Sequence, residues 1–223
     1  MSKILENTPL RERKAAQTKI DVLKSMLRKT DVKKLDEISV KELCDDILIS
    51  EGTFFNYFKK KSDLLIYFIK LWTIQAVYLA DKKYGKSSGL KRIESIFLST
   101  ADNQTIGNNR IMYEIIAFTA LEESEYELDF STISTVEKVL AFPDSEGIED
   151  VNIESFNDIF IDNIKLAVEL GELPPNIDFM RVLIFLGSLF YGVPIILKNK
   201  NEQIMDYYTF SLNSLWEILR KSA

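Results

Sequence analysis

The stretch from Ser39 to Leu65 constrains the fold most, because it combines two helix-capping signals with a very short connection between them. Ser39 and Glu42 have the S-x-x-E spacing of a capping box, in which each side chain bonds the other residue's backbone N–H. Ser50 can cap a second helix. We therefore predict two short helices joined by a tight turn, followed by a basic step into a third helix.

The second of these helices has two unlike faces. At 3.6 residues per turn, Phe54 and Phe58 fall on one side, where they can pack. The other side carries small and hydrogen-bonding groups: Gly52, Thr53, Asn56 and, beside them, Tyr57. Such a face suits the DNA major groove, because bulky side chains would hold a helix away from the base edges. An ordinary helical subdomain remains an alternative, since helix-turn-helix geometry also occurs in proteins that do not bind DNA.

The charge of the chain is polarised. Its net charge is −6, but residues 1–70 hold fifteen Lys and Arg against eleven Asp and Glu, and the remainder holds thirteen against twenty-three. Three lysines, Lys59 to Lys61, precede a long helix, where cations oppose the helix macrodipole unless an anion lies nearby. A DNA phosphate is a suitable anion. The pattern predicts a basic DNA-binding head on an acidic body.

The same stretch resembles the DNA-binding domain of the TetR family of bacterial regulators. The matching pieces are Ser39-Val40, Leu43, Ile49-Ser50, Gly52-Thr53, Asn56-Tyr57-Phe58, Lys61 and Leu64-Leu65. The chain departs from the family pattern at Leu48, where Gly is usual, at Cys44 and Ile47, where Ala is usual, and at Phe55, where Tyr is usual. A later Gly171-Glu172-Leu173 step also resembles the family.

The resemblance implies an all-α homodimeric repressor with a helix-turn-helix domain over 1–62 and an effector-binding and dimerisation domain over 63–223, joined through a linking helix at 63–83. It implies contact with double-stranded DNA through Ser39, Ser50, Glu51, Gly52, Thr53, Phe55, Asn56, Tyr57, Lys59 and Lys61. Gly52, Thr53 and Asn56 would approach base edges, and Lys59 and Lys61 would anchor phosphates. Glu51 could accept from a cytosine amino group, and Phe55 could contact a thymine methyl.

Helical spacing and breaking residues predict the other elements. The expected helices are Pro9 to about Lys29 with Thr8 as its cap, Asp63 to Lys83, Leu90 to Ala101, Arg110 to Glu123, Glu125 to Phe142, Asn152 to Leu170, Asp178 to Lys198 and Asn201 to Arg220. Polar, turn-forming or acidic residues between them predict the connections, including 102–109 and 143–150.

The body offers two candidate surfaces. Inward aromatic and aliphatic residues suggest a pocket for a small hydrophobic effector: Phe97, Met112, Tyr113, Ile116, Phe156, Phe160 and Phe185. The last two helices carry more apolar surface than one domain needs, which predicts a homodimer interface through Leu189, Ile204, Tyr208, Leu212, Leu215, Trp216 and Leu219. The alternatives are plain core for the aromatic residues and a single thick core in a monomer.

The composition argues against several classes of protein. The chain has no histidine and one cysteine, Cys44, so it lacks Ser-His and Cys-His nucleophile pairs and offers no usual metal site. We expect no cofactor and no enzyme activity. The N-terminal residues are polar and the longest uncharged run, 182–197, is shorter than a membrane span of about 18 residues. We expect a cytoplasmic protein. A helical interaction protein that lost DNA binding, and a small helical enzyme, remain alternatives.

Overall fold

The structure is a computed structural model that describes residues 3–101, 109–121, 128–197 and 201–221. Over these residues the chain forms α-helices and short 3₁₀ turns, with no strand, which confirms the all-α prediction. The helices are Lys3–Asn7 (α1), Leu10–Thr30 (α2), Val40–Asp46 (α3), Glu51–Tyr57 (α4), Asp63–Tyr84 (α5), Gly89–Leu98 (α6), Asn109–Leu121 (α7), Thr135–Ala141 (α8), Phe156–Glu169 (α9), Phe179–Leu197 (α10) and Asn201–Lys221 (α11).

The N-terminus differs from the prediction. Residues ahead of α2 form the additional short helix α1, and the Thr8 hydroxyl donates to the Ile4 carbonyl (2.6 Å) instead of capping α2. Pro9, predicted as the first residue of the helix, is instead its N-cap, so α2 begins one residue later than predicted. Of the turn expected at 102–109, residues 102–108 lie outside the described residues, as does the segment 122–127, and residue 109 begins α7.

Two later helices are shorter than predicted because serine caps set their starts. α8 begins after Ser134, whose hydroxyl accepts from the Glu137 N–H (3.2 Å). Among the described residues of the helix predicted from 125 to 142, only 135–141 are α-helical, and 130–132 form a 3₁₀ turn. α9 begins after Ser155, whose hydroxyl accepts from the Asp158 N–H (3.2 Å), four residues later than predicted. Both serines occupy the N-cap position that their residue type favours.

Helix α5 lies in the centre of the chain and contacts helices on both sides of the predicted domain boundary. It packs against α2 of the head and against α6 and α8 of the body. Its buried residues Leu64, Phe68, Leu71 and Trp72 belong to one continuous hydrophobic cluster with residues of both regions. The boundary at residue 62 therefore stays a prediction, because the packing is continuous across it.

The Gly171-Glu172-Leu173 step fastens α9 to the start of α6. Gly171 ends α9 with a φ of +70°, which glycine adopts without steric cost. The Glu172 carboxylate then accepts from the backbone N–H of Gly89 (2.8 Å) and Leu90 (3.2 Å). A carboxylate at these two N–H groups satisfies helix-end donors and complements the helix dipole.

Helices α5 and α10 are each long and apolar enough to cross a membrane by length and composition alone. Buried core helices of soluble proteins can have the same composition. Burial within the chain separates the two helices: 61% of the apolar window of α5 is buried, but only 22% of that of α10. α5 is thus a core helix, whereas most of α10 lacks a covering surface within the described chain.

Candidate nucleic-acid interface

The first helix of the predicted motif is held by the expected capping box. The Ser39 hydroxyl accepts from the Glu42 N–H (3.1 Å), and the Glu42 carboxylate accepts from the Ser39 N–H (2.8 Å). Lys33 Nζ also donates to Glu42 (2.7 Å). The hydrogen bond from Lys33, followed by those from Ser39, lowers the pKa of Glu42 to about 2. The box therefore remains ionised and intact at neutral pH.

The turn between α3 and α4 places a leucine where glycine would fit better. Leu48 has a φ of +58° and is 92% exposed. The Ile49 N–H donates to the Cys44 carbonyl (3.0 Å), which closes the turn. A side chain with a Cβ is strained at positive φ, and an exposed leucine recovers none of that cost by burial.

We expect Leu48→Gly to raise the free energy of unfolding by about 1 kcal/mol, because it removes this strain and sacrifices no packing. Leu48→Ala is the matched control, since it shortens the side chain but keeps a Cβ at positive φ. Urea unfolding followed by circular dichroism measures both. Equal midpoints for the two variants would mean that the turn is not strained.

Helix α4 presents the two faces that the sequence predicts. Its inner residues Phe54 and Phe58 are buried, with ring centroids 5.5 Å apart, and the Phe58 ring meets the Tyr67 ring edge-on at 5.6 Å. The outer residues are exposed or half-buried: Glu51, Gly52, Thr53, Phe55, Asn56 and Tyr57. Ser50 caps α4 by accepting from the Thr53 N–H (3.1 Å). These exposed or half-buried residues, which are the predicted reading face, thus lie together on one capped helix.

Gly52 lies at the open centre of this outer face. A Cβ added there would meet only the Ser50 hydroxyl, at 3.7 Å, within ordinary contact distance. The interior of the protein therefore does not require glycine at this position.

The three lysines after α4 do not share one role. Lys59 and Lys60 are exposed. Lys61 points inward instead, and its Nζ donates to the carbonyls of Leu35 (2.5 Å), Ile38 (2.7 Å) and Asp36 (3.2 Å). An ammonium group has three donors, and all three are used here. This differs from the expectation that Lys61 anchors a phosphate, because its side chain holds the 35–38 loop against the end of the motif.

We expect Lys61→Met to lower the free energy of unfolding by about 2 kcal/mol, since partly buried carbonyls lose a charged donor. Lys59→Met is the control, and its exposed side chain should change stability by less than about 0.5 kcal/mol. Chemical denaturation of the two variants measures the difference. If both unfold at the same denaturant concentration, Lys61 has no such structural role.

The head carries a second link that the sequence analysis missed. Asp46, at the end of α3, accepts hydrogen bonds from Ser25 Oγ and Arg28 Nη2 of α2, both at 2.6 Å. These two bonds, the one from Ser25 foremost, lower the pKa of Asp46. The link fixes α3 against α2. Its partners are about twenty positions apart in the sequence, so helical periodicity offers no signal for it.

The residues proposed for an effector pocket do not form one surface. Phe97 is fully buried, and its ring lies 5.4 Å from that of Phe190 and 5.1 Å from that of Tyr208. Phe160 is also buried and stacks edge-on with Phe156 at 5.5 Å. Phe97 and Phe160 are therefore core residues that other rings already surround. Phe185 is different again, because it is exposed on α10.

On α7, Met112, Tyr113 and Ile116 are half-buried. The Tyr113 hydroxyl donates to the Pro194 carbonyl of α10 (2.6 Å), and the Glu114 carboxylate accepts from the Leu35 N–H of the head (3.2 Å). Helix α7 is consequently bonded at neighbouring positions both to the head and to α10.

Most of the residues predicted for the dimer interface are buried within the single chain. Ile204, Tyr208, Leu212, Leu215 and Trp216 are buried inside the single chain, where α11 packs on α6 and α10, and Leu189 and Leu219 are half-buried. Side chains already covered by their own chain cannot form the interface. The exposed apolar residues lie on the other faces: Met180, Ile184, Phe185, Ile195 and Ile196 of α10, and Tyr207, Phe210 and Ile218 of α11.

Comparison with solved structures supports the fold. The crystal structure of a Rhodococcus sp. protein, provisionally assigned as a TetR-family transcriptional regulator, matches this chain with a TM-score of 0.53. The match covers 91% of this chain and 98% of that one, at 12% sequence identity. No protein-family profile matches the sequence, and no curated protein gives a significant match. The chain thus has a TetR-like, all-helical fold.

Proposed function

We propose that this protein is a cytoplasmic, ligand-responsive transcriptional regulator of the TetR family. It binds a palindromic operator as a homodimer and is released by a small hydrophobic molecule. The observation that carries the proposal is the capped helix-turn-helix, whose second helix presents small and hydrogen-bonding residues outward on a TetR-like fold. This combination favours a regulator over an enzyme.

The chemistry of the head supports DNA binding. Asn56 and Thr53 offer hydrogen-bonding groups to base edges, and Gly52 lets the backbone of α4 come close to them. The exposed Lys59 and Lys60 follow directly and are suited to phosphate contact. The acidic body repels DNA from the rest of the chain, which confines binding to the head.

The outer face of α10 and α11 supports a homodimer. A soluble chain rarely exposes so many large apolar side chains on adjacent helices. A second copy presents the same face, and two helices from each copy form a four-helix bundle that covers both. A two-fold dimer holds two α4 helices at a fixed separation, as two operator half-sites require.

The contacts of α7 suggest how a ligand acts. The half-buried Met112 and Phe156 pack on the core cluster and are the best remaining candidates for an effector contact. A ligand that displaces α7 changes its bonds at Glu114, to the head loop, and at Tyr113, to the helix of the dimer face. To release DNA, the ligand must bind the DNA-incompetent arrangement more tightly than the competent one.

A helical interaction protein without sequence-specific DNA binding is the second candidate. It is favoured by the exposed carboxylate of Glu51, which DNA phosphates repel, and by the strained turn at Leu48, where the family pattern usually has Gly. The two functions differ in a single measurable property, which is selection of one DNA sequence over others.

Selection of bound duplexes from a random DNA library tests the proposal. We expect a palindrome bound more tightly than random DNA by at least about 10³-fold. Gly52→Ala supplies the matched variant, because it leaves the fold intact and favours the helix, yet adds a methyl group to the reading face. Its melting temperature should hold or rise while operator affinity falls. If the selection enriches no sequence, the proposed function is wrong and the interaction protein is favoured.

A further inference from the structure

The reading face of α4 lacks the side chains that usually recognise guanine. Between Lys41 and Lys59 the sequence has no Lys or Arg, and the only charged residue of α4 is Glu51. Guanine presents two acceptors, O6 and N7, to the major groove, and the commonest specific contact to them is an Arg or Lys donor. A carboxylate at this face repels those acceptors.

The face instead carries an apolar ring and an amide side by side. Phe55 is 49% exposed, and its ring meets the buried Phe54 ring edge-on, with centroids 5.3 Å apart and planes at 84°. This contact fixes the orientation of the exposed ring on a buried neighbour. The adjacent Asn56 is exposed, and its amide bonds to no other residue within the part of the chain that the structure describes.

These two side chains match the major-groove edge of an A·T pair. An asparagine amide pairs with adenine N6 and N7, and an apolar side chain contacts the thymine 5-methyl group. The Thr53 hydroxyl is 2.9 Å from that of Ser50 and hydrogen-bonded to it. Threonine can contact either kind of base pair, so it does not alter this preference.

Resting on the proposed function, we infer that α4 reads an A·T-rich half-site, in which Phe55 recognises thymine methyl groups and Asn56 recognises adenine. Specificity against guanine at the positions that face Phe55 and Asn56 comes from the absence of a cationic donor on α4. The exposed lysines after α4 bind the backbone and add affinity without sequence preference.

The test replaces thymine by deoxyuridine, one half-site position at a time, in the selected operator. Deoxyuridine keeps the base pair and removes only the methyl group. For the full-length protein we expect affinity to fall about fourfold at each contacted methyl, the value of one buried methyl-sized group. In Phe55→Ala the same replacement should have no effect, whereas Phe55→Leu, which keeps an apolar side chain, should retain the sensitivity.

A second replacement tests the guanine half of the inference. Substituting 7-deazaguanine at each guanine of the half-site removes the N7 acceptor and should leave affinity unchanged. A selected half-site rich in G·C, a tenfold loss with 7-deazaguanine, or insensitivity to deoxyuridine would each overturn the inference while leaving operator binding established. If no duplex is selected at all, the proposed function fails, and this inference fails with it.

Discussion

Lys19→Met is expected to destabilise the protein by about 3 kcal/mol at neutral pH, because it breaks the ion pair that joins the head to the body. Lys19 Nζ of α2 donates to Glu137 Oε1 of α8 at 2.7 Å. The Glu137 side chain is 4% exposed, so its carboxylate cannot turn to water when its partner is removed. An unpaired buried charge is among the costliest changes that one substitution can cause.

The pH dependence of this effect has a definite sign. Burial raises the pKa of Glu137, but the hydrogen bond and charge of Lys19, with the bonds from Ser134, outweigh it and leave the pKa lowered. The ion pair thus stabilises the fold at pH values above the pKa that Glu137 has in the unfolded state. This stabilisation is lost as the pH falls through the lower pKa that Glu137 has in the folded state. Without Lys19, the effect of burial on Glu137 dominates and favours the protonated carboxyl group. The difference in free energy of unfolding between wild type and Lys19→Met should therefore be largest near pH 7 and become smaller below about pH 4.

Two further variants isolate the pair. Lys24→Met removes an exposed charge from the same helix and should be nearly neutral, which controls for the loss of one lysine from α2. Lys19→Met/Glu137→Gln removes both charges and should recover much of the stability, since no buried charge is left unpaired. Urea unfolding at pH 7 and pH 4 measures all three. A Lys19→Met variant as stable as Lys24→Met would contradict the assignment.

This ion pair also marks the limit of prediction from sequence. The helix-turn-helix could be predicted closely because its signals are local: Ser39 and Ser50 cap helices within three residues, and Phe54 and Phe58 lie one turn apart. The Lys19–Glu137 pair joins residues 118 positions apart, so no periodic pattern contains it. The inward turn of Lys61 was equally hidden, because a lysine run gives no information about which cation is held by carbonyls.

The body shows a second reason why sequence prediction fails. Helices α10 and α11 are apolar on two faces, so their spacing predicts that a second partner is needed but not which face meets it. The large side chains of Tyr208 and Trp216 suggested an interface, yet they fill the protein's own core. The same ambiguity affected Phe97, because an inward aromatic residue has the same sequence pattern in a pocket and in a packed core.

The double variant Ile184→Glu/Phe210→Glu is expected to convert the protein to a monomer and to weaken operator binding by 100-fold or more. Both side chains are apolar and mostly exposed in the single chain, at 63% and 70%. Charges at these positions therefore leave the protomer folded, but would have to be buried unpaired in a homodimer. A lone head loses the advantage of a tethered second head, which is typically 10²–10⁴-fold.

Asn213→Glu is the matched control, since it adds a charge at an exposed polar position of α11. Sedimentation velocity gives the assembled mass, circular dichroism confirms the helical fold, and titration of the selected palindrome gives the affinity. A double variant that keeps twice the chain mass would exclude this face as the interface. One that becomes monomeric yet binds the palindrome as tightly as wild type would show that a single head suffices, and that spacing between heads cannot be what an effector controls.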